Sequence, residues 1–172
     1  TTCTKRMRLS ADAEKWVFQT FTKSVYSNAI GTVVREIASN CFDSHKEADV
    51  SAPVLIKKTF DETTDTYYIS FVDYGVGISP ERMENIYSVY FESSKRATND
   101  ESGGFGHDAK TPLAYRRFTG TGDEYNNSFY VITNYNGKRY YYSIYEGSSS
   151  PEFSLMHEEK TDEPNGTEVR VP

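Results

Sequence analysis

Glu36, Asn40, Asp43 and Glu47 recur at i, i+4, i+7 and i+11, a spacing that gathers oxygen-bearing side chains on one stripe of a helix. The opposite stripe is apolar, with Val34, Ile37, Ala38 and Cys41. Alone, this pattern also fits an ordinary amphipathic helix with one solvated face. A second station is Asp73-Tyr74-Gly75-Val76-Gly77-Ile78, directly after a β-rich run. Two glycines there let the backbone turn tightly and approach a ligand without Cβ obstruction, and a carboxylate at the strand end can accept a hydrogen bond from an amino group. D-x-G-x-G is equally a common surface turn. The third station is Gly103-Gly104-Phe105-Gly106 in a loop ending at Ala109-Lys110, where bare N–H groups and a lysine could enclose phosphates. The fourth is Asn165-Gly166-Thr167, which on its own reads as a turn.

The elements that must position these stations follow from periodicity. Ser10 precedes an apolar pattern at Trp16, Val17, Phe18 and Phe21, with Asp12 and Glu14 in the first turn, as at a helix N-terminus. A second helix is predicted from about Ile30 to Ala48, with Pro53 forbidding its continuation. Val54–Phe60 and Thr66–Val72 read as a hairpin around Asp61–Asp65, and Arg82–Tyr90 as a short helix after Pro80. Residues 91–110 are rich in Ser, Asn, Asp and Gly and read as a long mobile loop. Lys110-Thr111-Pro112 opens a further short helix. Ser128–Thr133 and Lys138–Tyr145 flank Asn136-Gly137, a hairpin signal because both residues accept positive φ. Strands at Glu152–Met156 and Thr167–Val171 close the pattern. Helices early and antiparallel hairpins late predict an α+β two-layer sandwich, helices on one face of a mainly antiparallel mixed sheet, in a single domain over residues 1–172.

Bulk composition narrows the function classes. A net charge of −6 argues against a nucleic-acid surface, which needs clustered Lys and Arg. Apolar content is 37%, and 14 Tyr and 10 Phe predict an aromatic-rich core. Cys3 and Cys41 make no disulfide framework and favour a reducing compartment; Cys41 reads as core rather than nucleophile. His45 and His157 have no partner at zinc-ligand spacing. No apolar run approaches the roughly 20 residues of a membrane span. The glycines fit neither the P-loop nor the Rossmann pattern. The absence of an initiating Met and the strand-like end suggest a piece of something longer.

Taken in order, the four stations resemble the GHKL ATPases, the group of DNA gyrase, MutL and bacterial histidine kinases. The Glu, Asn and Asp of that pattern are met in Arg35-Glu36-Ile37-Ala38-Ser39-Asn40-Cys41-Phe42-Asp43. Asp73-Tyr74-Gly75, Tyr90-Phe91-Glu92-Ser93-Ser94-Lys95, Lys110-Thr111-Pro112 and Glu163-Pro164-Asn165-Gly166-Thr167 further resemble the phage rapid-lysis IIA group, from about Tyr26 onward. The resemblance implies ATP and Mg2+ as ligands. Asn40 would coordinate the magnesium, Glu36 would activate the attacking water, and Asp73 would select adenine. Gly75 and Gly77 would form the turn, Ile78 would pack on the base, Thr167 would assist Asp73, and Asp43 would brace the pocket. Residues 93–110 would form a mobile lid, with Gly104, Gly106 and Lys110 at the phosphates.

One departure stands out: Gly104-Phe105-Gly106-His107-Asp108 has an aspartate where the family's lid has its last glycine. A carboxylate there repels a triphosphate, though His107 would offset it if protonated. The leading expectation is therefore a weakly hydrolysing ATP switch; alternatives are an interaction module that has lost tight nucleotide binding, or a histidine-kinase catalytic domain. The resemblance also implies a downstream domain, a nucleotide-dependent homodimer, and a location in the infected bacterial cytoplasm or at the inner membrane surface.

Overall fold

Among the described residues, helix α1 spans Ala29–Glu47. Val33, Ile37, Cys41 and His45 are buried at four-residue spacing, one turn apart along a single face. Val34, expected on that face, is 39% exposed, because the buried stripe runs one position earlier at Val33. The helix stops well before Pro53. Asp49 adopts φ 54°, and its N–H reaches the Lys46 carbonyl while Val50 N–H reaches that of His45. This is a Schellman closure with Asp in the left-handed position usually held by glycine.

The computed structural model describes Ser10, Asp12, Ala13, Trp16 and residues 29–63, 65–88, 128–146 and 151–172. The predicted loop at 91–110 and helix at 110–115 lie outside the described residues. At the N-terminus, Ala13 N–H donates to Ser10 Oγ at 3.2 Å, as expected of a cap. Trp16, read as part of an apolar face, is 66% exposed.

Strands β1 (Leu55–Asp61) and β2 (Thr66–Asp73) form the first hairpin. Helix α2 (Pro80–Ser88) follows, with Ser79 as its cap: Ser79 Oγ accepts from Arg82 N–H at 3.1 Å. Strands β3 (Ser128–Tyr135) and β4 (Lys138–Glu146) turn at Asn136 and Gly137, both with positive φ as their sequence predicted. Strand β5 (Pro151–Lys160) is ten residues long, running four residues past the hydrophobic alternation that ended the prediction at Met156, and β6 (Gly166–Val171) completes the set. The extra length of β5 is polar because it is an edge: Lys138 pairs with Glu158 at 3.2 Å, and Tyr141 donates to Glu159 at 2.9 Å.

The sheet order is β1-β2-β6-β3-β4-β5, and every pairing among these six strands is antiparallel. Direct cross-strand partners share a face. One row on the inner face is Phe71, Val169, Val131 and Tyr142. It packs with Val33, Ile37 and Cys41 of α1 and Met83 of α2 into one core. The helices therefore cover this face, giving the α+β two-layer sandwich that the pattern predicted. Arg82 joins the two helices through paired hydrogen bonds to Glu47 at 3.2 and 3.1 Å.

Candidate functional site

The next row on the inner face changes character. Asp73, Thr167, Thr133 and Tyr140 are partners across β2, β6, β3 and β4. Asp73 is 5% exposed, Thr167 6% and Thr133 fully buried, so three oxygen-bearing side chains are buried in one row, and Asp73 meets Ser44 near the C-terminal end of α1. Buried polar groups need partners. Thr133 Oγ1 accepts from Ile78 N–H at 2.8 Å and lies 3.2 Å from both the Gly166 carbonyl and Thr167 Oγ1.

At Asp73 the chain leaves β2 through the glycine turn, whose N–H groups are held one by one. Tyr74 N–H donates to His45 Nε2 at 2.7 Å, Gly75 N–H to Asp73 Oδ1 at 2.9 Å, and Val76 N–H to Ser44 Oγ at 3.2 Å. Asn165 Nδ2 donates to the Val76 carbonyl at 3.1 Å. The turn is thus fixed by the end of α1, by β3 and by the segment entering β6. Gly77 has φ 71°, and a Cβ there would overlap the Asn134 carbonyl oxygen. At Gly75 a Cβ would overlap Ser44, so α1 lies directly against the turn.

Burial pushes the Asp73 carboxyl above the ordinary aspartate range, against the opposing pull of the Gly75 N–H and the Ser44 hydroxyl at 3.1 Å. Cys41, one helical turn before His45, faces the same carboxylate. Its thiol is pushed up to about 12 by burial and by the Asp73 charge.

Of the residues singled out from sequence, Glu36, Asn40 and Asp43 lie on α1 and are half-buried, while Gly75, Gly77, Asp73 and Thr167 are buried at the turn and strand row. Ile78 is half-buried against the core. Glu36 Oε1 accepts from Arg35 Nε at 2.9 Å and Nη2 at 2.6 Å. Gly104, Gly106 and Lys110 lie outside the described residues. Sequence reasoning missed Ser44, His45 and Thr133. A usable signal existed for Thr133: a hydroxyl where the alternation Phe129, Val131 calls for another apolar residue.

Among the described residues no group of three or more His, Cys, Asp or Glu side chains could hold a metal. A divalent ion here would rest on one protein oxygen, such as Asn40, with phosphates and water completing its shell, the arrangement magnesium commonly takes. The acceptor pair Asp73 and Thr167 fits a ligand that presents an amino group. A groove of about 250 Å³ borders the same strand end, but its floor of Val72, Ile132, Tyr141 and Glu168 belongs to the other sheet face. It is not this site.

Residues 26–171 match the model of the histidine kinase-, DNA gyrase B- and HSP90-like ATPases. The chain belongs to this family. Its match covers both the α1 stripe and the Asp73 turn, and it identifies the chain as a GHKL domain, the ATP-binding unit of these proteins. Two structures of the ATPase region of Saccharomyces cerevisiae topoisomerase II, one bound to ICRF-187 (dexrazoxane), are similar to it with a TM-score of 0.53 and 18% identity. Each comparison covers 81% of this chain and 36% of the topoisomerase chain. The GHKL chain thus spans about a third of those proteins, and at this identity the likeness concerns the fold. A search of curated proteins finds no match. Among the described residues no helix is long and apolar enough to cross a membrane.

Proposed function

We propose that this GHKL domain binds magnesium-ATP between α1 and the Asp73 turn and hydrolyses it slowly, as a conformational switch. One observation carries the reading: a buried carboxylate ends β2, aimed by Ser44 and Gly75 and flanked by Thr167, on the face that α1 covers. Such an acceptor suits the amino group of adenine. Asn40 would hold the magnesium, which when bound neutralises phosphate charge. Glu36 would orient and deprotonate the attacking water, and Asp43 would brace the pocket. Gly104, Gly106 and Lys110, in a lid over 93–110, would enclose the phosphates. Tyr90–Lys95, Lys110–Pro112 and Glu163–Thr167 favour a place in the phage rapid-lysis IIA group, acting in the infected bacterial cytoplasm or at the inner membrane surface. A downstream domain and a homodimer formed on nucleotide binding would relay the switch.

The test is calorimetry with magnesium-ATP. Heat that disappears in Asp73→Asn supports the reading, and silence at millimolar nucleotide ends it. Asp108 favours a second reading, an interaction module that has lost tight nucleotide binding. Binding that emerges only in Asp108→Gly would establish that reading.

A further inference from the structure

Ser44 occupies a position with only one way to satisfy its hydroxyl. Its Oγ accepts from Val76 N–H at 3.2 Å, so its single proton is directed to Asp73 Oδ1 at 3.1 Å. Gly75 N–H donates to the same oxygen at 2.9 Å. Two donors from different elements, α1 and the turn, therefore fix the plane of the carboxylate. Rotating it would break both bonds. We propose that Ser44 is a specificity-determining positioning residue: by donating to Asp73 Oδ1 it holds Asp73 as a pure acceptor and makes the site prefer 6-amino over 6-oxo purines. This inference rests on the adenine-nucleotide reading above and adds to it the residue that enforces the choice.

The chemistry follows from proton inventory. An ionised carboxylate only accepts, so it matches an exocyclic amino group and repels a carbonyl oxygen; a protonated carboxyl can donate and would tolerate a 6-oxo base. Burial favours the protonated form, and the Ser44 hydroxyl opposes it. Cys41 also faces Asp73, but a thiol is a weak donor and no substitute for the Ser44 hydroxyl. Among the described residues Ser44 is the only side chain that holds both Asp73 and the Val76 N–H, so its loss would loosen the carboxylate and slacken the turn together.

Binding of magnesium-ATP and magnesium-ITP, which differ in purine terms only at the 6-position and the N1 proton, provides the experiment. Hydrogen bonds to charged groups are the stronger class, so Ser44→Ala should narrow the ATP-over-ITP preference by about tenfold or more. Ser44→Thr, which keeps the hydroxyl, should retain most of it. In nucleotide-free protein, the Asp73 carboxyl followed by carbon NMR should titrate at higher pH in Ser44→Ala than in wild type. A Ser44→Ala protein that binds ATP with the wild-type preference, or an Asp73 titration that does not move, overturns the inference alone. A wild-type protein that binds neither nucleotide overturns it together with the parent reading.

Discussion

Asn165 and Val76 stand 89 residues apart in sequence and 3.1 Å apart in space, joined by a hydrogen bond from the Asn165 side chain to the Val76 carbonyl. The same amide accepts from Asn136 N–H at 3.0 Å through Oδ1. One side chain therefore ties the glycine turn to the β3–β4 hairpin and to the entry of β6. Asn165→Ala removes both bonds and should lower stability by about 1–2 kcal/mol. Asn165→Asp keeps an acceptor for Asn136 but sets an oxygen against the Val76 carbonyl, so it should be at least as damaging near neutral pH. Urea unfolding of the three proteins checks both; a wild-type midpoint in either variant would show the bridge to be idle.

That bridge also marks where the sequence stopped being legible. Hairpins were readable because Asn136-Gly137 and the alternation around it dictate local geometry whatever the rest of the chain does. The stripe of α1 was readable to within one residue, with Val33 in place of Val34. The Asp73 turn was found as a motif, yet the groups that shape it, His45, Ser44, Thr133 and the Asn165 side chain, act across register and packing. Periodicity cannot reveal such partners, because it describes faces and not which faces meet. The polar half of β5 was missed for a related reason: an edge strand held by Glu158 and Glu159 has no buried alternation to read.

Asp73 should separate stability from function. Its folded-state proton affinity is raised, chiefly by burial, so its contribution favours the fold at acid pH and is lost as pH rises through the folded midpoint. At neutral pH the buried carboxylate is therefore a net cost. Asp73→Asn keeps an oxygen for Ser44 and Gly75 and should be as stable as wild type at pH 7, or more so, while losing magnesium-ATP binding. Wild-type affinity should fall with acid at a pH above the ordinary aspartate value of about 3.9. Thermal melts and calorimetry across pH check the pair; strong destabilisation of Asp73→Asn at neutral pH would contradict it.

Cys41 faces the same carboxylate, and its thiol is pushed up to about 12, by burial first and then by Asp73. In native protein near pH 8 it should alkylate at least about a hundredfold more slowly than in unfolded protein, since the thiolate is the reactive species. The raised value means the folded state holds the thiol proton more tightly, so this contribution is full below the unfolded value. It is lost as pH rises from about 9 towards about 12. Peptide mapping after a timed iodoacetamide pulse isolates Cys41 from Cys3. Rapid native labelling would show that the α1–β2 junction opens far more readily than its packing implies.

Glu36 is paired with Arg35, its neighbour in sequence. Oε1 accepts from both Nε and Nη2 of the neighbouring guanidinium, and Arg35 is largely exposed while the Glu36 side chain is 15% exposed. The pair lies near the surface and contributes less than about 1 kcal/mol to stability. Its cost would fall on turnover, because Oε1, already accepting two N–H bonds, leaves only Oε2 to take a proton from water. Glu36→Gln should cut ATP hydrolysis by about a hundredfold or more, in line with loss of a general base, and leave magnesium-ATP affinity within about threefold. Arg35→Ala should release Oε1 and raise turnover a few-fold with little change in unfolding midpoint. Phosphate release under single-turnover conditions measures both variants. Hydrolysis by Glu36→Gln at the wild-type rate would remove Glu36 from the reaction, and a slower Arg35→Ala would show that the guanidinium positions the base rather than occupying it.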